Sequence, residues 1–283
     1  MSKARAFFQL LKFRLALTVA FSSAIGYLLG AHELDWGRAL LVLVGGLLVT
    51  GSANTINQIF EIDLDRQMKR TAKRPLPLGI ISPQEAWVFV VVLGVLGLGL
   101  LTYFFNPLAA ALSLVSLILY GFVYTPLKTI SPICVAVGAI PGGLPPLIGW
   151  VAATGFLGTQ GWILFGIQFM WQFPHFWAIA WVLDDDYKKA GFKMLPTPGK
   201  KDLRTAFQIM TYTLVLIPLS LLPFYFHMTG TTYPMVAAIC GVLFLMQTFY
   251  LMRTVSKKAA MSIMFGSFLY LPIVQIALVL DKI

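Results

Sequence analysis

Nine apolar runs, each long enough to cross a bilayer, occupy most of this chain, near residues 13–30, 38–60, 86–105, 108–125, 133–152, 161–183, 205–226, 233–252 and 261–280. A spanning helix takes about 17–25 residues. Inside lipid a backbone amide must find its partner within its own segment, so each run is expected to be helical. Charged residues make up only 11% of the chain, whereas a soluble domain carries roughly a quarter. The sequence therefore predicts an all-α fold, a polytopic membrane helix bundle of nine transmembrane helices forming a single domain over residues 1–283. Its first partner is the lipid bilayer.

Basic residues set the expected orientation. With the N-terminus inside, 19 of the 21 Lys and Arg residues fall on the inner side, and only Arg38 and Lys282 lie outside. The positive-inside rule then gives an N-in/C-out topology with two long inner loops, 61–85 and 184–204. The net charge of +10 is read as topology plus attraction to anionic lipid. No segment outside the spans could present a groove-reading element, which excludes nucleic acid as a partner. Cys134 and Cys240 fall inside apolar runs and read as small buried residues without a disulfide framework. The first apolar run is too long, and has too many successors, to be a cleaved signal, and no Arg/Ser-rich transit extension precedes it. The expected location is a bacterial plasma (inner) membrane.

Six of the 11 acidic residues sit in two places, Glu61 to Asp65 and Asp184 to Asp186, each at the end of an apolar run. Carboxylates at a helix C-terminus oppose the helix dipole, at a cost of a few tenths to about 1 kcal/mol each. A chain that accepts this twice is expected to recruit a cation. Asn57, Glu61 and Asp65 recur every four residues, so on a helix they drift by only about 40° per step and share one face. An amide and two carboxylates are hard oxygen ligands suited to Mg2+. In Asp184-Asp185-Asp186-Tyr187 the three acids cannot all face one way, and Asp185 with Asp186 is the favoured second metal pair. Arg66, Arg70 and Arg74 continue the four-residue spacing until Pro75, and guanidinium forks grip phosphate. Tyr124 and Lys128 end the fourth span on the same side, as an ordinary interfacial pair or as further phosphate ligands.

Two mid-membrane segments are less decided. Ala139-Ile140-Pro141-Gly142-Gly143-Leu144-Pro145-Pro146 is expected to break the fifth span, either as the wall of a substrate chamber or as a packed kink. His175 lies deeper than Asp186 among aromatic residues. A lone buried histidine is usually a hydrogen-bonded core residue, yet an imidazole can also meet haem.

The first acidic motif, Asn57-x-x-x-Glu61-x-x-x-Asp65-x-x-Met68-x-Arg70-Thr71-x-x-Arg74-Pro75-Leu76, resembles the signature of UbiA-type intramembrane prenyltransferases. Gly142-Gly143-Leu144-Pro145-Pro146-Leu147-Ile148-Gly149-Trp150, Gln172-Phe173-Pro174-His175-Phe176-Trp177 and Asp186-Tyr187-x-x-Ala190-Gly191-x-x-Met194-Leu195-Pro196 resemble the branch of that family that farnesylates haem. The resemblance implies helices around a central cavity, with Mg2+ held by Asn57, Glu61, Asp65, Asp185 and Asp186. It implies that Asn57, Glu61, Asp65 and Asp186 are catalytic. The diphosphate of farnesyl diphosphate would meet Arg66, Arg70, Arg74, Tyr124 and Lys128, and haem B would meet His175 and Trp177. A haem A synthase or terminal oxidase assembly proteins would be downstream partners. The rival readings are a prenyltransferase acting on a quinone or chlorin ring, a cation-coupled membrane transporter, and a haem-binding assembly factor.

Overall fold

The computed structural model describes residues 2–197 and 200–283. The chain opens with a short surface helix, α1 (Lys3–Leu10). Next come α2 (Phe13–Gly30), α3 (Trp36–Phe60), the six-residue α4 (Ile62–Gln67) and α5 (Pro83–Phe104). Helix α6 (Pro107–Ile118) runs through a π-helical stretch, Leu119–Tyr124, into α7 (Thr125–Ile130). The second half holds α8 (Cys134–Thr154), α9 (Thr159–Val182), the six-residue α10 (Asp184–Lys189), α11 (Leu203–Tyr225), α12 (Thr232–Thr254) and α13 (Lys257–Leu280). Among the described residues the only extended pairing is one isolated bridge, Thr229 to Lys282.

Eight of these helical segments are long and apolar enough to cross a membrane. Helix α9 is as long, at 24 residues, but Gln168, Gln172, Pro174 and His175 dilute its apolar character. The protein is thus a multi-pass helical membrane protein, with eight candidate spans among the described residues. Caps fix several helix starts. Asp35, Ser82, Asn106, Asp202 and Ser256 each accept a first-turn amide. Ser82 and Glu85 form a reciprocal capping box ahead of α5, with Pro83 in the first position.

Helices α2 and α8 lie backbone to backbone at the centre. A β-carbon on Gly26 would stand 2.0 Å from the Pro146 carbonyl oxygen, and one on Gly149 would stand 1.8 Å from that of Ser23. Small residues permit such close approach where lipid offers no hydrophobic drive to associate. The expected break in the fifth span does not occur, since α8 continues through Pro141, Pro145 and Pro146. Each proline removes the hydrogen bond to the carbonyl four residues earlier. Ser116 Oγ donates to the Pro141 carbonyl at 3.1 Å and Gln168 Nε2 to the Gly142 carbonyl at 2.8 Å. Side chains of α6 and α9 therefore satisfy the two carbonyls freed by Pro145 and Pro146.

Helices α3 and α9 end alike. Glu61 closes α3 at φ −99°, ψ 12° and Leu183 closes α9 at φ −99°, ψ 10°, and each is followed at once by a six-residue helix. Asp63 and Asp65 lie in the first turn of α4, and Asp184, Asp185 and Asp186 in that of α10. This corrects the expectation of carboxylates opposing a helix dipole. The acids open new helices, where negative charge is favoured.

Candidate active site

The last turns of α3 and the start of α4 build the first half of the site. Asn57, Glu61 and Asp65 are all buried, Asp65 completely (0% exposed). Asp65 Oδ2 meets Arg74 Nη1 at 2.6 Å, and Glu61 Oε1 meets Lys128 Nζ at 2.7 Å. Asn57 Nδ2 donates to Thr125 Oγ1 at 3.1 Å while its Oδ1 accepts from Lys12 Nζ at 3.0 Å. Asp65 Oδ1 is buried with no hydrogen-bond partner.

The π-helical stretch sets the register of the facing helix. Thr125 Oγ1 donates to the Tyr120 carbonyl, five residues back, at 2.9 Å, and such stretches recur at functional sites. Its wider turn delivers Thr125 to Asn57 and Lys128 to Glu61. Lys128 Nζ lies 4.6 Å from the centre of the Tyr124 ring and 5.6 Å from that of Phe192. Tyr124 thus offers Lys128 its ring face.

The second acidic motif is arranged differently from its sequence reading. Asp184 is the buried member, with Lys188 at 2.8 Å and Lys201 at 3.0 Å. The Asp185 side chain is 81% exposed and 3.7 Å from Lys201. Asp186 is partly buried, 3.8 Å from Lys189. The loop after α10 folds back over α7, where the Lys193 amide donates to the Lys128 carbonyl at 2.6 Å. Burial holds the Tyr187 hydroxyl above the usual phenol range, against the nearby positive charges of Arg70, Lys128 and Arg74. Glu61 acts on the same hydroxyl, so the two motifs converge on one polar end.

The arginines do not form one line, because α4 stops at Gln67 and Met68 is extended (φ −97°, ψ 128°). The Thr71 hydroxyl takes the Asp65 carbonyl at 2.9 Å, which a continuing helix would have used. Arg74 is thereby brought to Asp65. Arg66 turns to Asp63 at 2.7 Å on the surface, and Arg70 is exposed.

Sequence reasoning missed Lys12, which it counted only toward topology. Burial of its ammonium, with Arg74 adding to the effect, pushes Lys12 down to about 7, against the opposing pull of Glu61 and Asp65. Its signal was faint, a lysine between two helices.

His175 lies on the α9 face that packs against α13. Its Nδ1 is 2.8 Å from Ser267 Oγ, which itself donates to the Met264 carbonyl at 2.6 Å. Its ring stacks on Trp171 at 4.4 Å. Trp177 packs on Phe173 and Tyr212, and its buried Nε1 has no partner.

One hollow of about 10 Å³ touches α2, α8, α9 and α13, and another of about 30 Å³ lies by Asp184, Tyr187 and Phe192. Spaces of that size suit a water, which needs about 10–15 Å³ of such volume. Among the described residues no three Asp, Glu, His or Cys side chains converge as a closed metal cage. Mg2+ commonly uses one or two carboxylates and completes its shell with water and substrate phosphate. The unpartnered Asp65 Oδ1, beside the Asn57 amide and Glu61, fits an ion held in that way.

A helical membrane bundle whose buried acids and bases face each other at one end has the organisation of an intramembrane prenyltransferase. Residues 19–271 match the UbiA prenyltransferase family, and the chain belongs to that family. A protoheme IX farnesyltransferase of Cytophaga hutchinsonii is 56% identical, covering 100% of this chain and 99% of its own. One from Christiangramia forsetii is 47% identical over 98% of this chain and 93% of its own. Among solved structures, one concerning digeranylgeranylglyceryl phosphate synthase superposes with a TM-score of 0.81 at 26% identity, covering 99% of both chains. A UbiA homolog from Archaeoglobus fulgidus bound to GPP and Mg2+ has the same fold, with a TM-score of 0.67 at 18% identity over 96% of this chain and 99% of its own.

Proposed function

We propose that this protein transfers the farnesyl group of farnesyl diphosphate to a vinyl group of haem B, giving haem O. The observation that carries the reading is the buried cluster at one end of the bundle, Asp65 with Arg74 and Glu61 with Lys128 around Asn57. Ion pairs so far from water persist only with close partners, and a diphosphate with a divalent ion can exchange with each of them. The relatives named protoheme IX farnesyltransferase, near-complete in coverage, support haem as the acceptor.

In this reading Arg74 and Lys128 hold diphosphate oxygens, and Arg70, at the exposed rim, guides the anion in. Asn57, Glu61, Asp65 and Asp186 would hold Mg2+, with Asp184 the buried carboxylate that orders α10 through Lys188 and Lys201. Bound Mg2+ supplies charge neutralisation of the leaving diphosphate. The allylic C–O bond breaks with its electron pair leaving on the diphosphate. The vinyl π electrons of haem B bond to the farnesyl C1. Water then adds to the resulting cation and loses a proton, leaving a hydroxyethylfarnesyl group. Apolar helix faces around the prenyl chain keep water from the first cation. His175, with Nδ1 engaged by Ser267, offers Nε2 to the haem side.

The chain works as a multi-pass protein of a bacterial inner membrane, N-terminus inside and acidic end toward the cytoplasm. Its product passes to a haem A synthase or oxidase assembly protein. A transporter would place its charges near mid-bilayer; here they sit at helix ends beside the loops. The test offers labelled farnesyl diphosphate and Mg2+ to the purified protein with haem B and a quinone precursor in competition. Label is expected in haem. Label in the quinone precursor alone would transfer the reading to the other acceptor class.

A further inference from the structure

Lys12 stands between α1 and α2 in the left-handed region, at φ 48°, ψ 52°. A β-carbon makes that conformation unfavourable, and it survives only where the surroundings over-determine it. Three buried amides of α3 do so here. Gln58 Nε2 donates to the Leu10 carbonyl at 2.9 Å and Asn54 Nδ2 to that of Leu11 at 3.1 Å. Asn57 Oδ1 accepts from the Lys12 ammonium itself at 3.0 Å. One helix thus grips the backbone on the two residues before Lys12 and receives its side chain. The groups facing the ammonium are Glu61 and Asp65, which attract it, and Arg74 and Lys128, which repel it. Arg74 and Lys128 are already matched by Asp65 and Glu61, so Lys12 is a further positive charge in a cluster whose pairs are complete.

We propose that Lys12 is an internal counter-cation of the metal–diphosphate site. Without ligand its ammonium takes the Asn57 oxygen that a divalent ion would use. When ion and diphosphate arrive together, it moves onto a diphosphate oxygen. This rests on the reading of the acidic end as a metal–diphosphate site. A divalent ion alone must displace a tethered positive charge, so it binds weakly. A diphosphate gives the ammonium a new partner and raises the ion's affinity, and by linkage the ion raises that of the diphosphate. The ion therefore enters with the substrate, and an idle site does not fill with free metal.

The test measures Mn2+ binding without diphosphate at about pH 6, where the Lys12 ammonium keeps its proton, by loss of the free-ion paramagnetic resonance signal, in detergent-purified protein. Lys12→Met is expected to bind Mn2+ about tenfold or more tightly than wild type, because a unit positive charge beside the ion is gone. Lys12→Arg keeps the charge and should stay at the wild-type affinity. With Mg2+ present, Lys12→Met should bind farnesyl thiodiphosphate, which resists ionisation, about tenfold more weakly, since a charged ligand to its diphosphate is lost. Wild-type Mn2+ affinity in Lys12→Met overturns the proposal. So do equal changes in the Met and Arg variants with a lowered melting temperature, which would mark Lys12 as structural. Adding Asp65→Ala to Lys12→Met should abolish the tight Mn2+ binding. If tight binding survives, the ion is not on these acids, and the reading of the site itself fails.

Discussion

Asp65 and Glu61 are both buried carboxylates with one basic partner, but their partners differ in reach. The Arg74 side chain is 20% exposed and that of Lys128 is 10% exposed. Removing one member of a buried pair strands the other, at about 3–5 kcal/mol. Glu61→Ala should therefore lose most of that amount, while Asp65→Ala lets Arg74 swing toward water and loses clearly less. Thermal unfolding in one detergent compares the two, and equal losses would contradict the burial argument. Asp65→Ala and Asn57→Ala should each insert normally yet lose turnover. Near-normal rates at saturating Mg2+ would remove that residue from the mechanism. Arg74→Lys keeps the charge but loses the two-pronged grip, so the KM for farnesyl diphosphate should rise more than that for haem B. The four-residue spacing made Asn57, Glu61 and Asp65 legible in sequence. It overreached at Arg66 and Arg70, because α4 stops at Gln67, where the Met68 amide and the Thr71 hydroxyl both meet the Asp65 carbonyl. Lys12 was illegible because its place depends on amides more than 40 residues away along the chain.

At the scale of single elements, α8 and α9 carry the mid-membrane polar groups. Three prolines and two glycines predicted a broken fifth span. The helix is whole because Ser116 and Gln168 stand opposite the freed carbonyls, a long-range fact that no local pattern contains. Gln168→Leu leaves the Gly142 carbonyl without that partner and should cost about 1–3 kcal/mol, the penalty of a buried unsatisfied group. Gly149→Ala forces a methyl against the Ser23 carbonyl and should destabilise by about 1–3 kcal/mol, as overpacking does. An unchanged melting temperature would contradict the α8–α9 account in the first variant and the α2–α8 account in the second. The π-helical turn before Thr125 was likewise invisible in sequence, though it sets which side of the fourth span meets Asn57. His175 has a bond to Ser267 across to α13, so His175→Ala should lower the melting temperature whatever else it does. Weakened haem binding in the Soret band, with farnesyl diphosphate binding intact, is also expected. A lowered melting temperature with an unchanged haem spectrum would return the residue to packing alone.

Over the whole molecule, the two halves present the same device. A long helix ends in the same backbone geometry, and a six-residue helix carries acids in its first turn. The fold class was legible because hydropathy at membrane length leaves few alternatives. The central claim is that the converging ends of α3 and α9 ionise farnesyl diphosphate for transfer to haem. Its most direct test is mass spectrometry of the haem recovered after purified protein in lipid nanodiscs has been incubated with haem B, farnesyl diphosphate and Mg2+. Haem that has gained a farnesyl group and a hydroxyl is predicted from the wild type and not from Asp65→Ala; unmodified haem from the wild type, or the same product from both, would contradict the account.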